Sequence, residues 1–224
     1  MSARDPAAGP MVRVWDPLVR IGHWLLVGGF TVAYLVEDDP LWLHTWAGYL
    51  VAGVVAFRVL WGFIGPQRAR FADFVTGPRR ALAYLAALLT GRAERHLGHS
   101  PAGGAMTVAL LFALALTAFS GMATLAVEEG QGPLAPWLSA GADAGEPRLF
   151  ALVMPALVMP ALADDDKGGR REGGKQESVW KDVHEALSSL TLALIIAHVA
   201  GVAVASYAHR ENLARAMVTG MKRR

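Results

Sequence analysis

Four long apolar stretches alternate with short charged segments along this chain. Ile21–Val36, Leu41–Ile64, Ala102–Val127 and Ala186–Ala208 are nearly free of charge, with Arg58 the exception inside the second. The last three reach the roughly 20 residues that an α-helix needs to cross a hydrocarbon core about 30 Å thick. The first is shorter, but Leu18 and Val19 extend it past Arg20, whose long side chain can snorkel to the interface. The pattern predicts membrane-spanning helices over about 18–36, 41–64, 102–127 and 184–208. The expected fold is an all-α integral membrane protein, a four-helix bundle forming a single membrane domain over 1–224.

A fifth apolar segment is read differently. Leu149–Ala163 repeats the unit ALVMP and is only 15 residues long, and Pro155 and Pro160 each remove a backbone donor. It is expected to be a loop or interfacial segment, because a fifth span would also carry the basic C-terminus to the opposite side. Residues 164–178 read as a polar, Gly-rich linker. Residues 78–90 predict a short helix, with Pro78 in its first turn and Gly91 as its stop. It is too short to span and is expected to lie on the membrane surface.

Charge fixes an orientation for these spans. Residues 1–20, 65–101 and 209–224 together carry a net +9, whereas 37–39 and 128–183 carry −7. By the positive-inside rule both termini and the 65–101 loop are cytoplasmic, and 128–183 is a long acidic periplasmic loop. The expected location is a bacterial inner (cytoplasmic) membrane. The first apolar stretch ends in Glu37-Asp38-Asp39-Pro40 and not in a small-residue cleavage site, so it is expected to be retained. Topology explains the arginines better than nucleic-acid binding does, despite a pI near 9.1. Most of the seven tryptophans lie near segment ends, as in an interfacial aromatic belt.

The candidate chemistry is carried by histidine. His184 and His198 are 14 residues apart on the last span, close to four helical turns, so both rings fall on nearly one face. At 1.5 Å per residue they are separated by roughly 21 Å along the axis, most of the way across the bilayer. His23 lies near the cytoplasmic start of the first span and His44 near the periplasmic start of the second. Depth then pairs His23 with His198 at an inner iron, and His44 with His184 at an outer one. A polar ring within a membrane helix is costly and marks a functional site by default. Such pairs would hold two non-covalent, bis-histidine haems b. The chain has no cysteine, which excludes disulfides, thiolate-held iron–sulfur clusters and covalently attached haem.

Haem propionates call for cationic partners, and Arg20 and Arg58 are the candidates for the inner haem. Arg20 precedes His23 by three residues on the same face, although snorkelling competes for it. Arg58 lies 14 residues after His44, on the same face but at the opposite depth. Gly22, Gly28, Gly48, Gly53 and Gly201 are positions where a planar cofactor can approach the backbone. His96 and His99 read as solvated loop groups, with a proton-handling or quinone-side role as the alternative, His209 reads as interfacial, and the third span, lacking histidine, reads as packing.

The stretches VWDPLVRIGHW, LHTWAGYLVAGVVAFRVLWGFIGPQRARFADF, GHSPAGGAM and VHEALSSLTLALIIAHVAGV, followed by ENLARAMVTGMK, resemble the prokaryotic cytochrome b561 family. That family includes the cytochrome b subunit of nickel–iron hydrogenases. The resemblance implies a four-helix inner-membrane protein with two haems b. Its histidines would be His23, His44, His184 and His198, and it would carry electrons between a periplasmic redox partner and the quinone pool. Ser100 stands where the family has Asn in its GHNP form, so the resemblance assigns no role to His99.

Three readings follow. The first is a transmembrane electron wire, an electron carrier or oxidoreductase subunit rather than a stand-alone enzyme. Its acidic periplasmic face would attract a basic partner, such as a c-type cytochrome or a similar haem protein. The resemblance adds an iron–sulfur subunit of a hydrogenase or dehydrogenase as the other partner type. The second is a stand-alone quinone oxidoreductase acting on a small oxidant or reductant. The third is a non-redox membrane assembly protein. A quinone site and a homodimer stay open at this level.

Overall fold

The computed structural model describes residues 10–37, 39–138 and 178–224. The ALVMP repeat and most of the acidic loop and Gly-rich linker lie outside the described residues. In chain order the elements are β1 (Met11–Arg13), α1 (Pro17–Val36), α2 (Leu41–Ile64), α3 (Phe71–Phe74), α4 (Pro78–Leu89), α5 (Pro101–Glu129), α6 (Ala135–Leu138), α7 (Val179–Ala208), α8 (Leu213–Thr219) and β2 (Met221–Arg223). Helices α1, α2, α5 and α7 are long and apolar enough to cross a membrane, and the fold is an all-α membrane fold. The chain forms two compact units, Met1–Ala115 with Leu192–Arg224, and Leu116–Thr191.

In the larger unit, α1 starts where its sequence says it should. The Asp16 carboxylate accepts from the amides of Leu18 (2.9 Å) and Val19 (3.2 Å), and Pro17 fills the first turn, where no amide hydrogen is required. Gly22 faces Val54 while Gly29 faces Val51 and Ala47, so α1 and α2 run antiparallel. The buried positions of α2 are Ala47, Val51, Val55, Arg58 and Gly62, steps of three and four that trace one stripe. Val51 and Val55 meet Leu111 and Leu114 of α5, with Leu26, Phe30 and Phe71 packed around them. Leu60, Phe63 and Ile64, off that stripe, are exposed as lipid-facing side chains would be. In the smaller unit the core is Val183 and Leu187 of α7 against Leu116 of α5.

Helix α7 begins at Val179, upstream of the apolar run, so His184 lies in its second turn. Lys181 and Asp182 interrupt the apolar pattern over this extension, while Trp180 and Val183 are buried. Ser178 Oγ donates to the Glu128 carboxylate at 2.7 Å, tying the helix entrance to the end of α5.

Two short segments far apart in the sequence pair with one another. β1 and β2 pair antiparallel, with Met11 opposite Arg223 and Arg13 opposite Met221. Val14, Trp15 and Ala216 pack beneath them with Val12 and Met217. Asn212 caps α8 by accepting from the Arg215 amide at 2.7 Å, and Gly220 ends it in the left-handed conformation. Lys222 is buried, bonds Glu211 at 3.2 Å and donates to the His96 carbonyl at 2.9 Å. Arg95 adds a second cation to Glu211 at 2.9 Å. Burial alone would raise the Glu211 carboxyl, but the hydrogen bond from Arg95 and the charge of Lys222 outweigh it and hold the group below its ordinary value.

Glu211→Gln should therefore leave the Lys222 ammonium buried without its counter-charge, at a cost of about 3 kcal/mol. The expected result is a lower thermal midpoint in detergent. Lys222→Met, which removes the buried charge itself, should be milder.

Candidate cofactor site

His23 and His198 both belong to the larger unit. Each is half-buried, and they are close enough to interact electrostatically. Its Nδ1 is buried and has no hydrogen-bond partner, and its ring meets Trp24 edge-on at 5.2 Å. One turn beyond His198, Gly201 opens on space, with no atom within 4 Å of where a Cβ would stand.

His44, in the first turn of α2, bonds the Ala33 carbonyl through Nδ1 at 2.9 Å. A carbonyl only accepts, so the ring proton resides on Nδ1 and the lone pair on Nε2, the nitrogen a metal would take. Gly48, one turn on and on the same face, also opens on space.

His184 has a more elaborate setting in the smaller unit. Its Nδ1 donates to the Thr117 carbonyl at 3.0 Å and lies 3.1 Å from Ser120 Oγ. Ser120 in turn donates to the same carbonyl at 2.9 Å, and Thr117 Oγ1 meets Thr191 Oγ1 at 2.9 Å. Gly121 lies flush against the ring, since a Cβ there would stand 2.9 Å from His184 Cε1. The tautomer is the one seen at His44. Sequence reasoning gave α5 a packing role only, yet α5 supplies Thr117, Ser120 and Gly121 to His184. The signal was present as Thr117, Ser120 and Thr124, spaced by three and four on an apolar helix.

The arginines separate. Arg20 donates through Nη2 to the Val218 carbonyl and lies against Gly220, so the C-terminal segment holds it. Arg58 is 8 % exposed, and its guanidinium carbon stands 5.3 Å from the Phe71 ring centre and 5.9 Å from that of Phe74. Its Nη1 and Nη2 are buried without a hydrogen-bond partner. His99, preceding α5, packs on Phe74 at 4.2 Å and edge-on to Trp15 at 4.7 Å, and its Nδ1 is also buried without a partner. Burial, reinforced by the charges of Arg58, Lys222 and His198, pushes His99 down to about 3, so the ring is neutral at physiological pH. His96 Nδ1 meets the Glu94 carbonyl at 3.0 Å, and His209 Nε2 meets Tyr84 Oη at 3.1 Å.

Buried polar atoms are normally paired, so a cluster of unpaired ones marks where a bound group completes the structure. In the larger unit, His44 with its Nδ1 hydrogen-bonded, glycines open to space one turn from His44 and His198, and the unpaired Arg58 guanidinium are groups that suit haem b, and in the smaller unit His184 has the same Nδ1 arrangement.

The model of one protein family, described as prokaryotic cytochrome b561, matches residues 14–220. No curated protein and no solved structure gives a significant match.

Proposed function

The chain belongs to the prokaryotic cytochrome b561 family, and from that premise we propose that it is a di-haem electron wire between the quinone pool and a periplasmic redox protein. Membership makes it a transmembrane b-type cytochrome of electron transfer. The finer reading adds the ligands. His23 and His198 would hold one haem, and His44 and His184 a second, the latter pair resting on sequence spacing and depth. Bound haem with two imidazole ligands supplies a one-electron couple and leaves no open coordination position for a substrate.

The chain's own residues do the remainder. The carbonyls of Ala33 and Thr117 fix the ring tautomers of His44 and His184, which leaves Nε2 as the ligating nitrogen of each. This shared Nδ1 arrangement is the observation that carries the proposal. Arg20 keeps a buried, unbonded Nε but is held through Nη2 by the Val218 carbonyl, whereas both terminal nitrogens of Arg58 are unbonded, so Arg58 takes the propionate role. The apolar side chains around α2 exclude water and so limit reorganisation as the charge on iron changes. Charge distribution supports an inner-membrane orientation with both termini and residues 65–101 cytoplasmic, and an acidic face toward the periplasm. That face suits a basic partner, a small haem protein or the iron–sulfur subunit of a larger complex.

The test is spectroscopic. Purified protein should contain two haems per polypeptide by pyridine haemochrome, show sharp reduced α-bands, and be reduced by added quinol without a protein partner. A colourless protein, or one with a high-spin spectrum, would contradict the proposal.

A further inference from the structure

Arg58 interrupts an apolar stripe, and its guanidinium, set over Phe71 and Phe74, has no hydrogen-bond partner at Nη1 or Nη2 among the described residues. Asp16 is the acid whose charge it feels, but that carboxylate caps α1 and accepts from Trp61 Nε1 at 3.4 Å, while Nη1 and Nη2 remain unbonded. His99 shares the Phe74 ring with Arg58 and likewise keeps a buried, unbonded Nδ1. The aromatic shelf beneath them is fitted closely. A Cβ at Gly62 would stand 2.2 Å from the Phe71 ring, and one at Gly104 would stand 2.4 Å from the Phe74 carbonyl oxygen. The groups acting on this pocket are Asp16 ahead of α1, Lys222 on β2 and His198 on α7. Two buried, unbonded groups, Arg58 and His99, on one aromatic ring call for an anionic oxygen acceptor. His198 acts on the same pocket, so the acceptor that reaches this depth is one delivered by the cofactor.

Resting on the haem reading above, we propose that Arg58 and His99 together form a two-donor clamp for a propionate carboxylate of the haem held by His23 and His198. Arg58 supplies charge and His99 a neutral hydrogen bond. The clamp keeps the carboxylate ionised inside the apolar span and raises the potential of that haem, because a compensated anion stabilises ferric iron less than a bare one.

The test is redox titration of the full-length, haem-loaded protein at several pH values. Arg58→Gln should lower the ferrous-to-ferric ratio of the His198-dependent haem at least tenfold at fixed ambient potential, which is about 59 mV for one electron. Its midpoint should become pH-dependent near neutrality, as the uncompensated carboxylate takes up a proton. Arg58→Lys should restore most of the shift. His99→Leu should move the midpoint the same way by less, and His99→Gln, which keeps an N–H donor, should restore it. The other haem is the internal reference and should not move.

Haem content measured on each sample separates failure of the clamp from failure of the ligand reading. Should Arg58→Gln lose its haem, the His99 pair carries the test. Unchanged midpoints, or equal shifts in both haems, would overturn the proposal. So would unchanged midpoints with tenfold slower oxidation by a short-chain quinone, which would assign the pocket to a quinone headgroup.

Discussion

A His198→Leu variant is expected to purify with half the haem of the wild-type protein and to keep the spectrum of the remaining haem. Bis-histidine haem b is held by two coordinate bonds plus burial, and leucine fills the imidazole's volume without offering a ligand. His23→Leu should reproduce the spectrum of His198→Leu, because the two rings belong to one unit and His198 lies within electrostatic reach of His23. His44→Leu should give the complementary spectrum. Quinol-driven reduction of a partner on the opposite face should fall to background in all three, since a wire with either station missing does not conduct. The fold should survive, because leucine is at home in an apolar helix. Retention of two haems by His198→Leu, or different residual spectra for His198→Leu and His23→Leu, would break the pairing.

The spans were legible because hydropathy in a bilayer is a one-dimensional signal. Each backbone polar group must be satisfied within its own helix, so a long uncharged run has few alternatives. Arg58 was legible for the same reason, as one charge inside such a run. The pairing of β1 with β2 was not. Two three-residue strands close a loop of some 200 residues, and the pairing draws its stability from Trp15, Ala216 and the buried Lys222–Glu211 bond, none of which has a local pattern. The early start of α7 was hidden because Lys181 and Asp182 break the apolar run there and its entrance is tied to Glu128, distant in sequence. His99 was passed over as a loop residue. Its burial depends on Trp15 and Phe74, which tertiary structure alone brings to it.

The hydroxyl stripe on α5 has a visible spacing whose meaning the sequence does not give. Serine and threonine in apolar helices commonly bond a carbonyl of the preceding turn, as Thr107 does to Gly103 at 2.9 Å and Thr124 to Ser120 at 3.0 Å. Spacing alone does not separate that habit from the role of Ser120, which lies against His184.

Gly121→Ala isolates that role. The added methyl would stand 2.9 Å from Cε1 of His184, inside the closest approach such atoms make, and a tight 3.2 Å from Nδ1. The ring cannot give way freely, because Nδ1 is tied to the Thr117 carbonyl at 3.0 Å with Ser120 Oγ alongside at 3.1 Å. The helix itself gains from the change, since alanine is favoured over glycine in a helix interior by about 1 kcal/mol. Stability and ligand geometry are thus driven in opposite directions. The expected result is a protein that folds with an unchanged or higher thermal midpoint and loses, or shows a displaced α-band for, the haem that His44→Leu also removes. Ser120→Ala leaves the Thr117 carbonyl in place as acceptor, so it should keep that haem and move its midpoint by less than the tenfold equivalent, about 59 mV. An unaltered spectrum in Gly121→Ala would mean that His184 yields without consequence and is no ligand, whereas a collapse of both haems together would make the glycine a general packing requirement and not a positioning one.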